Sequence, residues 1–85
     1  MTHARHHFGV RQLKEVVEDI QRDVEPDSSV DRFLLSAVWA ANRIKKKPLR
    51  LRPGLLENLR QAQSASPDTV VRQRIGNLIG RIDRK

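Results

Sequence analysis

The chain has 85 residues and a formal net charge of +7, with 17 Lys and Arg against 10 Asp and Glu. A chain of this length forms one small domain, and the absence of cysteine excludes disulfides and cysteine-based zinc sites. No apolar stretch approaches the roughly 20 residues that cross a bilayer, and no leader is recognisable, so we expect a cytoplasmic or nucleoid-associated protein without membrane contact.

The N-terminal segment, residues 1–8, contains all three histidines, His3, His6 and His7. We predict that this segment is disordered and holds no metal, because terminal histidines lack the supporting residues that orient metal ligands. Residues 9–85 are predicted to form a single helical domain.

The first helical pattern spaces its apolar side chains three and four residues apart, on one helix face. They are Val10, Leu13, Val17, Ile20 and Val24. Glu15, Asp19 and Asp23 recur every four residues on another face. We interpret that face as solvated. The alternative is an acidic shield that docks on the basic part of the same domain.

The second helix is predicted from about Ser29 to Lys46, after Pro26 ends the first. Its apolar residues cover a broad arc, which is typical of a central helix with neighbours on two sides. We expect Trp39, the only tryptophan, to lie in the core. The alternative is that Leu35 and Trp39, one turn apart, form an exposed apolar ridge for a partner.

A basic linker, residues 47–54, follows the second helix, and its two prolines keep it out of both neighbouring helices. An extended backbone would place Arg50 and Arg52 on one side and Leu49 and Leu51 on the other. Two outward guanidiniums would suit bidentate phosphate contacts. Alternatively, Lys45 to Lys47 are a solubilising end to the second helix and also offset the negative end of its dipole.

A short third helix is predicted from about Gly54 to Gln63. The fourth helix begins after it, with Ser66 as its N-cap and Pro67 at its first position. Arginines flank the apolar stripe of the fourth helix. These arginines are Arg72, Arg74 and Arg81.

The sequence SPDTV at 66–70 resembles the start of the recognition helix in helix-turn-helix DNA-binding proteins, with residues 59–63 ending the supporting helix. It departs from that pattern at Arg60, Gln63 and Ser64, where small, apolar or glycine residues are usual. The resemblance covers about twenty residues, and such a start occurs wherever a helix needs capping. No family is assigned from it.

Charge divides unevenly along the chain. Residues 1–31 carry four basic and seven acidic side chains, and residues 32–85 carry 13 basic and three acidic ones. Concentrated like charge opposes compaction, and a polyanionic partner relieves the repulsion. We therefore predict an all-α, four-helix domain that binds nucleic acid through phosphates, as an accessory or regulatory protein. The predicted contacts are Arg43, Lys45, Lys46, Lys47, Arg50, Arg52, Arg72, Arg74 and Arg81.

Duplex DNA is the favoured partner because no exposed aromatic residue is expected to stack on unpaired bases. The alternative function is a small adaptor or inhibitor that docks its basic linker and the ridge of Leu35 and Trp39 on an acidic protein surface. A further alternative is a homodimer, in which a second copy of the chain completes the small core. Without cysteine, tyrosine, a glycine-rich phosphate loop or paired histidines, neither catalysis nor a cofactor is expected.

Overall fold

The computed structural model describes residues 8–84, which form four α-helices without any strand and confirm the predicted all-α fold. A single 3₁₀ turn, Leu49–Leu51, lies between the second and third helices. The helices are α1 Val10–Gln21, α2 Ser29–Arg43, α3 Leu55–Ala65 and α4 Thr69–Asp83. Of the segment 1–8 that was predicted to be disordered, residues 1–7, with all three histidines, lie outside the described part of the chain, and Phe8 is its one described residue. Phe8 packs against the hydrophobic core.

The core is aliphatic and draws on all four helices. Each fully buried leucine or isoleucine contributes about 1.5–3 kcal/mol relative to an exposed position. The largest buried side chains are Leu13, Val17, Ile20, Leu34, Leu55, Leu59, Ile75 and Leu78. The stripe predicted for the first helix therefore faces the core, with Val10 and Val24 half-buried at its edges.

The helices run up and down, so the chain has two distinct ends. One cavity adjoins the start of α1, the 3₁₀ turn and the end of α4. A second cavity adjoins the loop between α1 and α2 and the loop between α3 and α4. The carboxyl ends of α2 and α4 thus share one end of the bundle, and their amino ends share the other. No helix among residues 8–84 combines the length and apolarity needed to cross a bilayer.

The expectation that Trp39 lies in the core was wrong. Trp39 is 63% exposed and Leu35 is 53% exposed. The buried side of α2 is built largely from alanines, which let α3 approach closely: a Cβ placed on Gly54 would lie 3.6 Å from the Cβ of Ala40. Residues 35 and 39 therefore face directly away from the core, so the predicted alternative, an exposed ridge, is what the structure contains.

Helix α2 ends at Arg43, three residues before the predicted end at Lys46. Ile44 has an extended backbone, with φ −120° and ψ 98°, and the lysines lie in the turn that follows. Arg43 is the basic residue of the last helical turn, and Lys45 to Lys47 follow just beyond the helix end.

The cap of α4 is Asp68 rather than the predicted Ser66, and the helix begins at Thr69. The Asp68 carboxylate accepts from the amides of Val70 at 2.8 Å and Val71 at 3.3 Å. Ser66 is buried and its Oγ accepts from the amide of Asp68 at 3.2 Å. Asp68 caps the helix because its carboxylate accepts hydrogen bonds from two free amides at once, while Ser66 stabilises the preceding turn.

Candidate anion-binding site

Seven of the nine predicted phosphate contacts gather where α2 ends and α4 ends, a region that we call the basic end. Its members come from the end of α2 and the turn after it, from the 3₁₀ turn with the residue that follows, and from the last turn of α4. They are Arg43, Lys45, Lys46, Lys47, Arg50, Arg52 and Arg81.

A cavity of about 310 Å³ opens at the basic end. Three guanidinium-bearing residues line it: Arg50, Arg52 and Arg81. Its other lining residues are apolar or glycine, and no described carboxylate lines it. Arginines about thirty positions apart in the chain therefore surround one space that contains no acidic partner. An anion entering this space would meet donors from two independent segments.

Arg81 is held in place by an aromatic ring. Its Cζ lies 4.3 Å from the ring centroid of Phe8, a cation–π contact. Phe8 was not among the predicted site residues, and its only sequence signal is an aromatic residue directly before the first helix. The contact orders the guanidinium without neutralising its charge, because the ring supplies a quadrupole and not an anion.

Arg52 does not point outward as the extended linker predicted. Its Nη1 donates to the carbonyl of Ala41, its Nη2 to Lys45 O at 3.1 Å, and its Nε to Lys47 O at 2.7 Å. The linker forms a 3₁₀ turn that buries Leu49 and leaves Leu51 exposed. The carbonyls at the end of α2 have no intrahelical partners, and they attract the guanidinium. Arg52 is thus primarily a C-capping residue.

The remaining cations at this end are available to a ligand. All five are exposed, and among residues 8–84 none forms an ion pair with a carboxylate. They are Arg43, Lys45, Lys46, Lys47 and Arg50. Arg43 makes a cation–π contact with Trp39: its Cζ lies 4.8 Å from the centroid of the indole ring.

Arg72 and Arg74 lie towards the opposite end of the bundle. Arg74 donates to Asp19 at 2.8 Å and to Asp23 at 2.9 Å, so its charge is already paired within the fold. Asp19 in α1 and Asp23 just after it therefore pair with α4, as in the shield alternative, but both of them and Glu15 remain exposed, as the solvated interpretation predicted. Arg72 donates to the carbonyl of Ser66 at 3.3 Å.

The uneven charge along the chain becomes a partial separation in space, although Glu57 at the start of α3 and Asp83 at the end of α4 lie towards the basic end. The loops opposite the basic end form what we call the acidic end, where a second cavity of about 450 Å³ is lined in part by Asp23, Glu25 and Asp68. The start of α4, which resembles a recognition helix in sequence, lies here. A polyanion approaching the protein is therefore attracted by one end and repelled by the other.

Comparison with known proteins finds no matching family model, no similar curated protein and no similar solved structure. The function proposed below therefore depends on the residues of this chain and their geometry.

Proposed function

We propose that the protein binds nucleic acid through phosphate contacts made by its basic end, in a cytoplasmic or nucleoid-associated accessory role. The observation that supports this most directly is the meeting of Arg50 and Arg81 at a cavity without a described carboxylate. A buried ion-pair network would surround arginines with acids. Here no described carboxylate lines the cavity, and among residues 8–84 neither Arg50 nor Arg81 forms an ion pair.

The two kinds of cation have different tasks. The arginines at the cavity present forked donors that suit the two oxygens of one phosphate, whereas the lysines at 45–47 act as point charges for neighbouring phosphates. Lys45 to Lys47 form what we call the lysine turn, and Arg52 holds it in shape through its bonds to the carbonyls of Ala41, Lys45 and Lys47. Binding releases counterions, so the affinity should fall with a log–log salt slope of about −0.9 per phosphate contacted on a duplex.

The test is a fluorescence anisotropy titration of labelled oligonucleotides at three salt concentrations. The Arg50→Ala/Arg81→Ala double variant should bind at least about tenfold more weakly at low salt, with a slope shallower by about 2. The control is Arg22→Ala, since the Arg22 side chain is 78% exposed, is paired with Asp19 and lies near the acidic end. The control should bind within about twofold of the wild type. Absence of binding at the lowest salt, or equal loss in control and double variant, would refute the proposal.

A second candidate function is favoured by the exposure of Leu35 and Trp39, which together form an apolar ridge on the outer face of α2. Such a ridge, with Arg43 beside it, suits docking on an acidic and partly apolar protein. Docking of that kind predicts modest salt dependence and no affinity for nucleic acid at physiological ionic strength. The same titration therefore separates the two candidates.

A further inference from the structure

Trp39 and Arg43 form one continuous surface with the lysine turn. They lie one helical turn apart, about 6 Å along α2, and the guanidinium rests on the indole. Lys45 to Lys47 follow directly after the helix ends. An aromatic ring and a row of unpaired cations thus adjoin each other on the surface, without a described ion pair on any of these cations.

We propose that the nucleic acid bound here is single-stranded, with one unpaired base stacked on Trp39 and the adjoining phosphates on Arg43 and the lysine turn. This inference rests on the proposed function and names its substrate class. The expectation of a duplex depended on the absence of an exposed aromatic residue, and an indole that is 63% exposed removes that premise.

A single strand accounts for both features of this surface. Phosphates match the cations, and an unpaired base offers the flat π face that an indole or a guanidinium can stack on. A duplex keeps its bases stacked inside the helix, so it would engage the charges and leave Trp39 in water. The Arg43 guanidinium over the indole adds a second planar group to the same platform.

Leu35 extends the platform by one turn toward the start of α2. Its side chain is 53% exposed on the same face as Trp39. A sugar or a second base next to the stacked one would cover this apolar surface. The contribution of Leu35 is smaller than that of Trp39, because an aliphatic side chain offers contact area without a stacking plane.

Trp39 is the only tryptophan in the chain, so its fluorescence reports on this position alone. The experiment titrates the wild-type protein with three probes of equal length: oligo-dT, the same sugar-phosphate strand without bases, and a duplex. Oligo-dT should quench the fluorescence and bind about tenfold more tightly than the abasic strand, which carries the same phosphates. The duplex should bind without comparable quenching.

Two variants at position 39 complete the test, with affinities measured by anisotropy and folding checked by circular dichroism. Trp39→Leu keeps an apolar side chain without a ring, and it should abolish the preference for oligo-dT over the abasic strand. Trp39→Phe keeps a ring, and it should retain most of that preference.

The outcomes separate this inference from the function on which it rests. Equal binding of oligo-dT and the abasic strand, without quenching, would overturn base stacking and leave phosphate binding intact. Tighter binding of the duplex in both wild type and Trp39→Leu would also overturn it. No binding of any probe at the lowest salt would refute the proposed function itself and leave the ridge to a protein partner.

Discussion

The guanidinium of Arg52 donates a hydrogen bond to the carbonyl oxygen of Ala41 in the last part of α2. The same side chain also donates to the carbonyls of Lys45 and Lys47, so it joins the helix end to the turn that follows. The lysine turn is the most basic stretch of the surface. The shape of the lysine turn therefore depends on Arg52, whose guanidinium already donates hydrogen bonds within the fold.

Arg52→Ala should lower the free energy of unfolding by about 1–2 kcal/mol, because hydrogen bonds from a charged donor to one helix-end carbonyl and two carbonyls of the following turn are lost. Urea denaturation followed by far-ultraviolet circular dichroism measures the change. Arg50→Ala is the matched control, since Arg50 is exposed and makes no described ion pair; it should change stability by less than about 0.5 kcal/mol. Equal stability of the two variants would contradict the capping role.

The cap of α4 leads to a second prediction. Asp68→Ala should cost about 1 kcal/mol, because the amides of Val70 and Val71 lose their shared acceptor. Asp68→Asn keeps a cap oxygen and should recover most of the loss. Amide hydrogen exchange at Val70 and Val71 should accelerate in the alanine variant. Unchanged exchange at both amides would mean that another group caps the helix.

The contact between α1 and α4 leads to a third prediction. Arg74 is 29% exposed at its side chain and binds the carboxylates of both Asp19 and Asp23. A double-mutant cycle of Arg74→Ala and Asp23→Asn should give a coupling energy of about 0.5–1 kcal/mol that shrinks with added salt. A coupling energy of zero would mean that this ion pair does not stabilise the fold.

The same pairing separates Arg74 from the proposed contacts. Because its guanidinium is engaged by two aspartates, Arg74→Ala should leave nucleic-acid affinity within about twofold of wild type. Arg81→Ala removes the same charge from the same helix but at the basic end, and it should weaken binding more. Anisotropy titrations at one low salt concentration compare the two directly. Equal losses would indicate that the whole of α4 contacts the ligand.

The two glycines of α4 lead to another prediction on stability, because they differ in their surroundings. A Cβ at Gly80 would meet nothing within 4 Å, whereas one at Gly76 would lie 2.6 Å from Gln63 Nε2. Gly80→Ala should therefore stabilise the domain by about 0.5–1 kcal/mol through helix propensity. Gly76→Ala should gain less, since the Gln63 amide must move and loses its bond to the carbonyl of Arg72. A larger gain at Gly76 in urea denaturation would contradict this.

The helices could be predicted from the sequence because their signals are local. Apolar spacing of three and four residues identifies the buried stripe of α1, and Pro26 marks the break before α2. The convergence of Arg50 and Arg81 could not be predicted, because it depends on how distant segments pack. The position of Arg52 was predicted wrongly for the same reason: one carbonyl that binds it belongs to Ala41, eleven residues earlier, and the four residues between Pro48 and Pro53 can be extended or form a 3₁₀ turn.

The exposure of Trp39 could not be predicted for a different reason. The apolar arc of α2 is wide enough to allow more than one buried side, and tryptophan is more often buried than exposed. The small residues Ala37, Ala40 and Ala41 were the available signal, because alanines mark the face where another helix comes close. Once that face is assigned to α3, Leu35 and Trp39 must point to solvent.

Trp39→Ala provides the last prediction, which concerns folding alone. An indole that is 63% exposed contributes little burial, so the variant should unfold within about 1 kcal/mol of wild type. Leu34→Ala, five positions earlier on the buried face, should cost about 2–5 kcal/mol. Urea denaturation followed by circular dichroism measures both. A loss of about 3 kcal/mol or more for Trp39→Ala would indicate a core tryptophan. The indole would then be unavailable to a base, and any binding defect of variants at position 39 would reflect unfolding.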